Sequence, residues 1–423
     1  MAFSLQARVV FPVDRPPIEN GIVTIDGDRI VGVEPKKAGC ELGEIIDLGN
    51  VALLPGLVNA YTHLEFSSLR RPLGVPGIGI VDWIRLVIAE RGRTSSDDLD
   101  AFDSGGQESL RAGVTTAGDV TTRVPTLPPE LRDLTLFHEV IGFSRARAES
   151  ALNALVERID AAQRTLAATG VGDSARVRHG ISPHAPYTVS PKLVAELVML
   201  ARSRQMPMAM HLAESREELQ FLDSGTGPFH ELLDERSMWD AEAVPRGSRP
   251  LDYLRMLADA PRSLVVHGNY LVDDELAFVG ANRERMSLVY CPRTHSFFSH
   301  EPYPLANALA AEVRVALGTD SRASNPDLDL LADVRYLARL HSAIDPHEVL
   351  RMATLAGAEA LGRDKDVGSI TPGKIANLVA VPLPEHAQGP SDALAAILTS
   401  DLPASSVWLR GNRWRSNPTT DAN

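Results

Sequence analysis

A chain of 423 residues with 44% hydrophobic side chains can bury one large domain and a satellite. Its formal charge of -13 argues against nucleic acid or an anionic membrane surface as the main partner. Cys40 and Cys291 are too few and too far apart for a disulfide framework, Met1–Val10 lacks a basic segment followed by an apolar core, and no apolar run reaches membrane-spanning length. The expectation is a cytoplasmic globular protein acting on a small molecule, with a homodimer left open.

In chain order, Leu5–Val33 alternates apolar and polar residues and turns at Asp26-Gly27-Asp28, which predicts a β-hairpin. At Leu53–Ser67, LLPGLVNAYTHLEFS, a strand-length apolar run ends in Tyr61-Thr62-His63. From there short apolar strands alternate with amphipathic helices. Strands are predicted at Leu54–Ala60, Thr115–Val120, Leu134–Val140, Arg176–Ile181, Met206–His211, Ser263–His267, Met286–Tyr290 and Val313–Leu317. Between them, Ala151–Leu166 carries an apolar helical face, Ser190-Pro191 reads as a helix start, and Asp345–Glu348 reads as a capping box. Eight strand–helix units imply an α/β fold, a (β/α)8 TIM-like barrel over 53–362. The flanks 1–52 and 363–423 read as β, so both chain ends are expected to build one small β-sandwich, with the polar tail after Arg415 frayed.

Arg216–Pro261, between the fifth and sixth strands, is longer than an ordinary βα connection. Two readings stay open for it: a lid over the mouth, or an extra helical hairpin of structural use.

Five strand ends carry candidate chemistry: His63, His184, His211, His267 and Asp320. Histidines and a carboxylate at a barrel mouth are donors that Zn²⁺, Fe²⁺ or Mn²⁺ accept. Glu214, three residues past His211, is placed to carry protons, and Asp320 can ligate or accept a proton from water. His138, His179, His230, His341 and His347 have no such placement and read as ordinary polar or capping residues.

PGLVNAYTHLEFS, SPHAPYT, MHLAES, VVHGNYL, ALGTDS and GSITPGKIANLVAV, in that order, resemble the amidohydrolase superfamily over nearly the whole chain. The branch they resemble is the chlorohydrolase-like aminohydrolases, which include deaminases of guanine, methylthioadenosine, S-adenosylhomocysteine and aminofutalosine. HLEFS is particularly similar to the aminofutalosine deaminases. The resemblance implies His63, His211 and Asp320 as ligands of one divalent transition metal, zinc or iron first. It implies Glu214 as proton shuttle, His267 as the residue orienting water and substrate, and His184 as a substrate contact.

One position departs from the family. Its first strand ends in His-x-His, and here the first member is Tyr61. Phenol, with a free pKa near 10, is a poor ligand unless ionised. Three donors remain, enough for a catalytic metal site with an open position. With its neighbours kept, Tyr61 is expected to contact substrate or close the mouth. No lysine falls on a predicted barrel strand, so the carboxylated lysine of binuclear members has no counterpart and a single metal is expected.

Glu65, Phe66, Trp83, Glu139, Arg293 and His295 also follow strand ends; Trp83 and Arg293 are the substrate-contact candidates among them. The reading is a metal-dependent hydrolase that removes ammonia from an aminated heterocycle or nucleoside-like substrate. Catalysis would rest on Glu214, His267 and Asp320. Hydrolysis of another C–N or C–Cl bond, or a decayed binding protein, are the alternatives.

Overall fold

Strands buried on both faces read as short apolar runs rather than as alternations, and eight such runs here form a parallel barrel. The structure is a computed structural model that describes residues 2–36, 44–91, 99–123, 131, 133–168 and 176–415. Cys40 and the tail after Arg415 lie outside the described residues.

The N-terminal strands are β1 (Phe3–Val10), β2 (Ile18–Asp26), β3 (Arg29–Pro35), β4 (Glu44–Asp47) and β5 (Val51–Pro55). The barrel follows with β6 (Leu57–Thr62), β7 (Val114–Thr121), β8 (Asp133–Val140), β9 (Val177–Pro183), β10 (Met208–Leu212), β11 (Ser263–His267), β12 (Met286–Tyr290) and β13 (Val315–Leu317). The chain ends with β14 (Leu378–Pro382), β15 (Ser406–Leu409) and β16 (Asn412–Arg413). β2 and β3 form the expected hairpin, with Asp26 opposite Arg29 and Gly27 at φ 60° in its turn.

The two ends join as expected, in one hydrogen-bonded sheet of order β16-β15-β14-β5-β1-β2-β3, with β4 beside β1. The run predicted as a single first barrel strand, Leu54–Ala60, is two strands. β5 pairs antiparallel with β14 and parallel with β1, so it belongs to the terminal sheet. Gly56 then turns the chain into β6, which pairs with β7. A side chain at Gly56 would meet Thr115 Oγ1 at 2.2 Å, so only glycine allows this close crossing between sheets. The apolar texture is continuous across the junction, which hides the change of sheet.

The barrel closes where Thr62 pairs with Asp320, beyond the end of β13. Asp320 N–H donates to the Tyr61 carbonyl at 3.1 Å and Thr62 Oγ1 donates to the Asp320 carbonyl at 2.9 Å. Side chains filling the interior include Val58, Ala60, Tyr61, Phe137, Val266 and Cys291. No helix among the described residues is long and apolar enough to cross a membrane.

At the opposite end of the barrel, Asp133 ties the two parts together. Its Oδ1 accepts from Arg363 Nη2 at 3.1 Å and Arg410 Nη2 at 2.9 Å, and its Oδ2 accepts from Asn377 Nδ2 at 3.0 Å. Arg363 is fully buried, so its charge depends on this one carboxylate. Asp133→Ala should therefore cost about 3–5 kcal/mol of stability in urea unfolding, the cost of an uncompensated buried charge. A loss under about 1 kcal/mol, as for an exposed pair, would show that water reaches Arg363.

Candidate active site

After a register shift between Asn59 and Thr62, the end of β6 brings the Tyr61 and His63 side chains together, with His63 one residue past the strand's tip. β10 delivers His211, and Glu214 follows it through Ala213, a left-handed residue at φ 53°. His267 ends β11 at φ 68° and Asp320 follows β13 at φ 58°. Side chains rarely adopt this region, and it persists only where surrounding bonds enforce it. Here Tyr303 Oη donates to the His267 carbonyl at 2.9 Å, Gly268 N–H donates to the Leu212 carbonyl at 3.0 Å, and the seam with Tyr61 holds Asp320.

A directed hydrogen-bond chain runs through the histidines. His211 Nδ1 lies 2.7 Å from the His184 carbonyl, which can only accept, so Nδ1 carries the proton and Nε2 is bare. Tyr61 Oη hydrogen-bonds His211 Nε2 and, at 2.6 Å, His63 Nε2. The phenol proton therefore goes to His211, and His63 donates to the phenol oxygen. That leaves His63 Nδ1 as an acceptor, buried and without a partner.

Burial sets the charge states. It lowers His63 to about 3 and pushes His211, His184 and His267 down as well, so the imidazoles are neutral. It raises Tyr61 well above the phenol range, with the Asp320 carboxylate adding to the effect. Glu214 is raised well above the usual carboxylate value by burial, then by Asp320 and Glu218, which favours its protonated form. Asp320 is raised by burial to about 7, against hydrogen bonds that favour its ion, among them Ser324 Oγ at 3.1 Å. His267 Nε2 lies 3.4 Å from Glu214 Oε1, and His63 Nε2 lies 3.9 Å from Asp320 Oδ1.

These groups floor a cavity of about 250 Å³. His63, His184, His211, Glu214, His267 and Asp320 all reach it, as does Trp83, whose indole N–H is held by the Ala323 carbonyl at 2.9 Å. Tyr61 is not among the lining residues. It is 1% exposed and lies under the floor, so a direct substrate contact by Tyr61 has no support here. Arg293 does not line the cavity either. Its guanidinium binds Asp333 Oδ2 at 2.9 Å and Asp327 Oδ1 at 2.6 Å, and so braces a loop. His138 and His179 stack on each other away from the mouth, as expected of ordinary polar residues.

Sequence reasoning missed two contributions. The first is the wall formed by Ile80, Ile84, Val87 and Ile88 of helix Ile80–Arg91, whose i, i+4, i+8 spacing was readable. The long insertion supplies the facing wall through Leu232, Leu233 and Met238, while its last helix, Pro250–Leu257, packs into the core. The segment therefore both lines the cavity and packs on the core. The second is Glu218, fully buried, which accepts from the backbone N–H of Ala213 at 2.7 Å and of Glu214 at 3.0 Å. Its signal was the Ser215-x-x-Glu218 capping pattern, with Ser215 Oγ accepting from Glu218 N–H at 3.2 Å.

A parallel barrel that gathers imidazoles and two carboxylic acids at its C-terminal mouth is equipped for acid–base chemistry. The chain belongs to the amidohydrolase family, whose model matches residues 52–413, and it is a hydrolase of carbon–nitrogen bonds other than peptide bonds. A 5-methylthioadenosine/S-adenosylhomocysteine deaminase of Moorella thermoacetica is 28% identical over 413 residues, 92% of this chain and 88% of that protein. The aminofutalosine deaminase of Helicobacter pylori, solved with methylthio-coformycin, superposes with a TM-score of 0.82 at 22% identity, covering 97% of this chain and 100% of that one. The zinc complex of atrazine chlorohydrolase from Arthrobacter aurescens gives a TM-score of 0.76 at 20% identity, over 97% and 94% of the two chains. At these identities the solved structures establish the shared fold.

The divalent metal that family likeness implies would need His63, His211 and Asp320 around one point. The donor types suit it, and the two imidazole nitrogens do converge. The point of convergence is taken by Tyr61 Oη. Among the described residues, no group of three His, Cys, Asp or Glu side chains is arranged to hold an ion. As packed, the donors do not fit it.

The carboxyl of Glu218 gives a pH test of this supporting network. Burial raises it from an ordinary 4.5 to about 7 despite its two backbone donors. A raised folded value means that its contribution is whole below the unfolded value and is lost as pH rises through about 7. Glu218→Gln removes the titration, so its melting temperature relative to wild type should climb between pH 5 and pH 8. A difference that stays flat over that window would mean that Glu218 is hydrated.

Proposed function

We propose that this protein hydrolytically deaminates an aminated heterocycle, with a nucleoside-like molecule as the substrate class. The observation that carries the reading is the pairing of acids in one cavity: Glu214 beside His267, its protonated form favoured by burial, and Asp320 raised to about 7. A buried acid whose protonated form is favoured, next to a second carboxyl that titrates near neutrality, is what an acid–base hydrolysis needs. Relatives named as 5-methylthioadenosine/S-adenosylhomocysteine deaminases support the same class.

In this reading Glu214 gives its proton to the ring nitrogen beside the aminated carbon. Water adds to that carbon while Asp320 takes the proton it releases, and a C–O bond forms. His267, neutral, donates a hydrogen bond to the new oxygen. Asp320 then returns the proton to the amine, the C–N bond breaks, and ammonia leaves. The hydroxyl proton passes to Glu214, leaving a carbonyl product and both acids restored. His184 and Trp83 hold the ring from the sides, and the isoleucine wall excludes bulk water. No step runs through the zinc or iron of the sequence reading, because Tyr61 stands between His63 and His211.

An ammonia-release screen over aminopurine nucleosides, aminofutalosine and amino- or chlorotriazines identifies the reaction class. On the best substrate, Glu214→Gln should lower turnover by about 10²–10⁴, the contribution of a positioned proton donor. Binding of the carbonyl product should stay within a few-fold by calorimetry. Chloride release in place of ammonia would assign C–Cl hydrolysis. Binding without turnover across the panel would assign a binding protein.

A further inference from the structure

The phenol of Tyr61 is placed as an occupant rather than as a fourth ligand. In a tetrahedral site with metal–nitrogen distances of about 2.0–2.1 Å, neighbouring donor atoms stand about 3.3 Å apart. Tyr61 Oη is 2.6 Å from His63 Nε2 and also hydrogen-bonds His211 Nε2. Those are separations for sharing a proton, and they put the oxygen where an ion would sit. The side chain has little room to retreat. It is packed in the barrel interior with Val58, Ala60, Val266 and Cys291, and Gly318 is pressed so closely against it that a Cβ there would lie 3.0 Å from Tyr61 Cβ. The partnerless Nδ1 of His63 is buried next to this arrangement, on the imidazole that the phenol holds.

We propose that Tyr61 is a built-in occupant of the cation seat: its hydroxyl bridges His63 and His211, and a divalent transition metal binds this chain tightly only when that oxygen is removed. Tyr61→Phe deletes the one oxygen and keeps the ring that fills the barrel. His63 and His211 are then left facing a hole of about one atom, with Asp320 Oδ1 3.9 Å from His63 Nε2. The variant thus creates a metal site by losing a potential donor, the reverse of what a phenolate ligand would do.

The test is metal binding and needs no turnover, so it stands or falls separately from deamination. Wild type and Tyr61→Phe, stripped with chelator, are titrated with Zn²⁺ by calorimetry and with Co²⁺ by its visible absorption. Tyr61→Phe should bind at least about tenfold more tightly, since the ion no longer displaces two hydrogen bonds. Equal affinity would overturn the proposal, because the oxygen would not be in the seat. Weaker binding by Tyr61→Phe would overturn it too, since Tyr61 would then be a ligand. Wild type gives a second reading if the variant folds poorly. A tyrosinate difference band that rises with added Zn²⁺ would identify Tyr61 as a coordinating phenolate and overturn the proposal. Absence of that band together with weak Zn²⁺ binding supports it.

Discussion

The mouth of this barrel depends on the seam where its first strand meets its last. Asp320 N–H donates to the Tyr61 carbonyl, and Thr62 Oγ1 donates to the Asp320 carbonyl. Just below, the Asn59 amide stitches the same seam, giving Nδ2–H to Thr319 Oγ1 at 2.8 Å and accepting Thr319 N–H at 3.2 Å. Asn59, Thr62 and Thr319 are all fully buried, so none of these groups could be left to water. One set of bonds therefore closes the sheet, satisfies buried polar atoms and brings residue 320 against residues 61–63. Candidate acid, imidazole and phenol are neighbours because the barrel is shut.

A seam that dry also determines the charges. Each imidazole at the floor is pushed towards neutrality and each acid towards its protonated form, with burial the largest cause in every case. Hydrogen bonds then separate the two acids. Asp320 receives Ser324 Oγ, which restrains its rise, whereas Glu214 sits against the carboxyls of Asp320 and Glu218, which add to its own. The loop that presents Glu214 is itself held by Glu218 through two backbone amides. In the proposed mechanism the acid and base roles follow from these surroundings rather than from residue type.

Much of this was legible because burial on both faces leaves a plain mark. The later barrel strands β10, β11 and β13 are mostly apolar, and the polar residues at or just past strand ends stood out against that background. Tyr61 was legible as the neighbour of His63 at a strand end, but position along a strand carries no depth, so it could not show that Tyr61 is buried outside the cavity lining. Arg293 misled for a related reason. Its position after a strand end suited an anion site, while the aspartates that hold it, Asp327 and Asp333, arrive from more than thirty residues away. The crossing at Gly56 was hidden because β5 and β6 are both buried, each in a different sheet. In each miss, direction along the chain was readable and distance across the fold was not.

The cavity's own chemistry narrows what can sit over this floor. Its walls are isoleucine, valine, leucine and Trp83, and the imidazoles beneath are neutral. Arg91 is already matched, with Nη2 2.6 Å from Glu65 Oε1 and Nη1 3.6 Å from Glu139 Oε2. A substrate bearing a negative charge at the reacting ring would lose its hydration and meet the Asp320 and Glu214 carboxyls at the floor. A neutral, flat ring loses little on entering, and gains contact with the indole and the aliphatic wall. In the proposed reaction the polarity such a ring needs arises only as the Glu214 proton moves to it and water develops charge beside Asp320. In the proposed reaction the same burial favours a ring without negative charge in the ground state and reserves the strongest electrostatic interactions for the transition state.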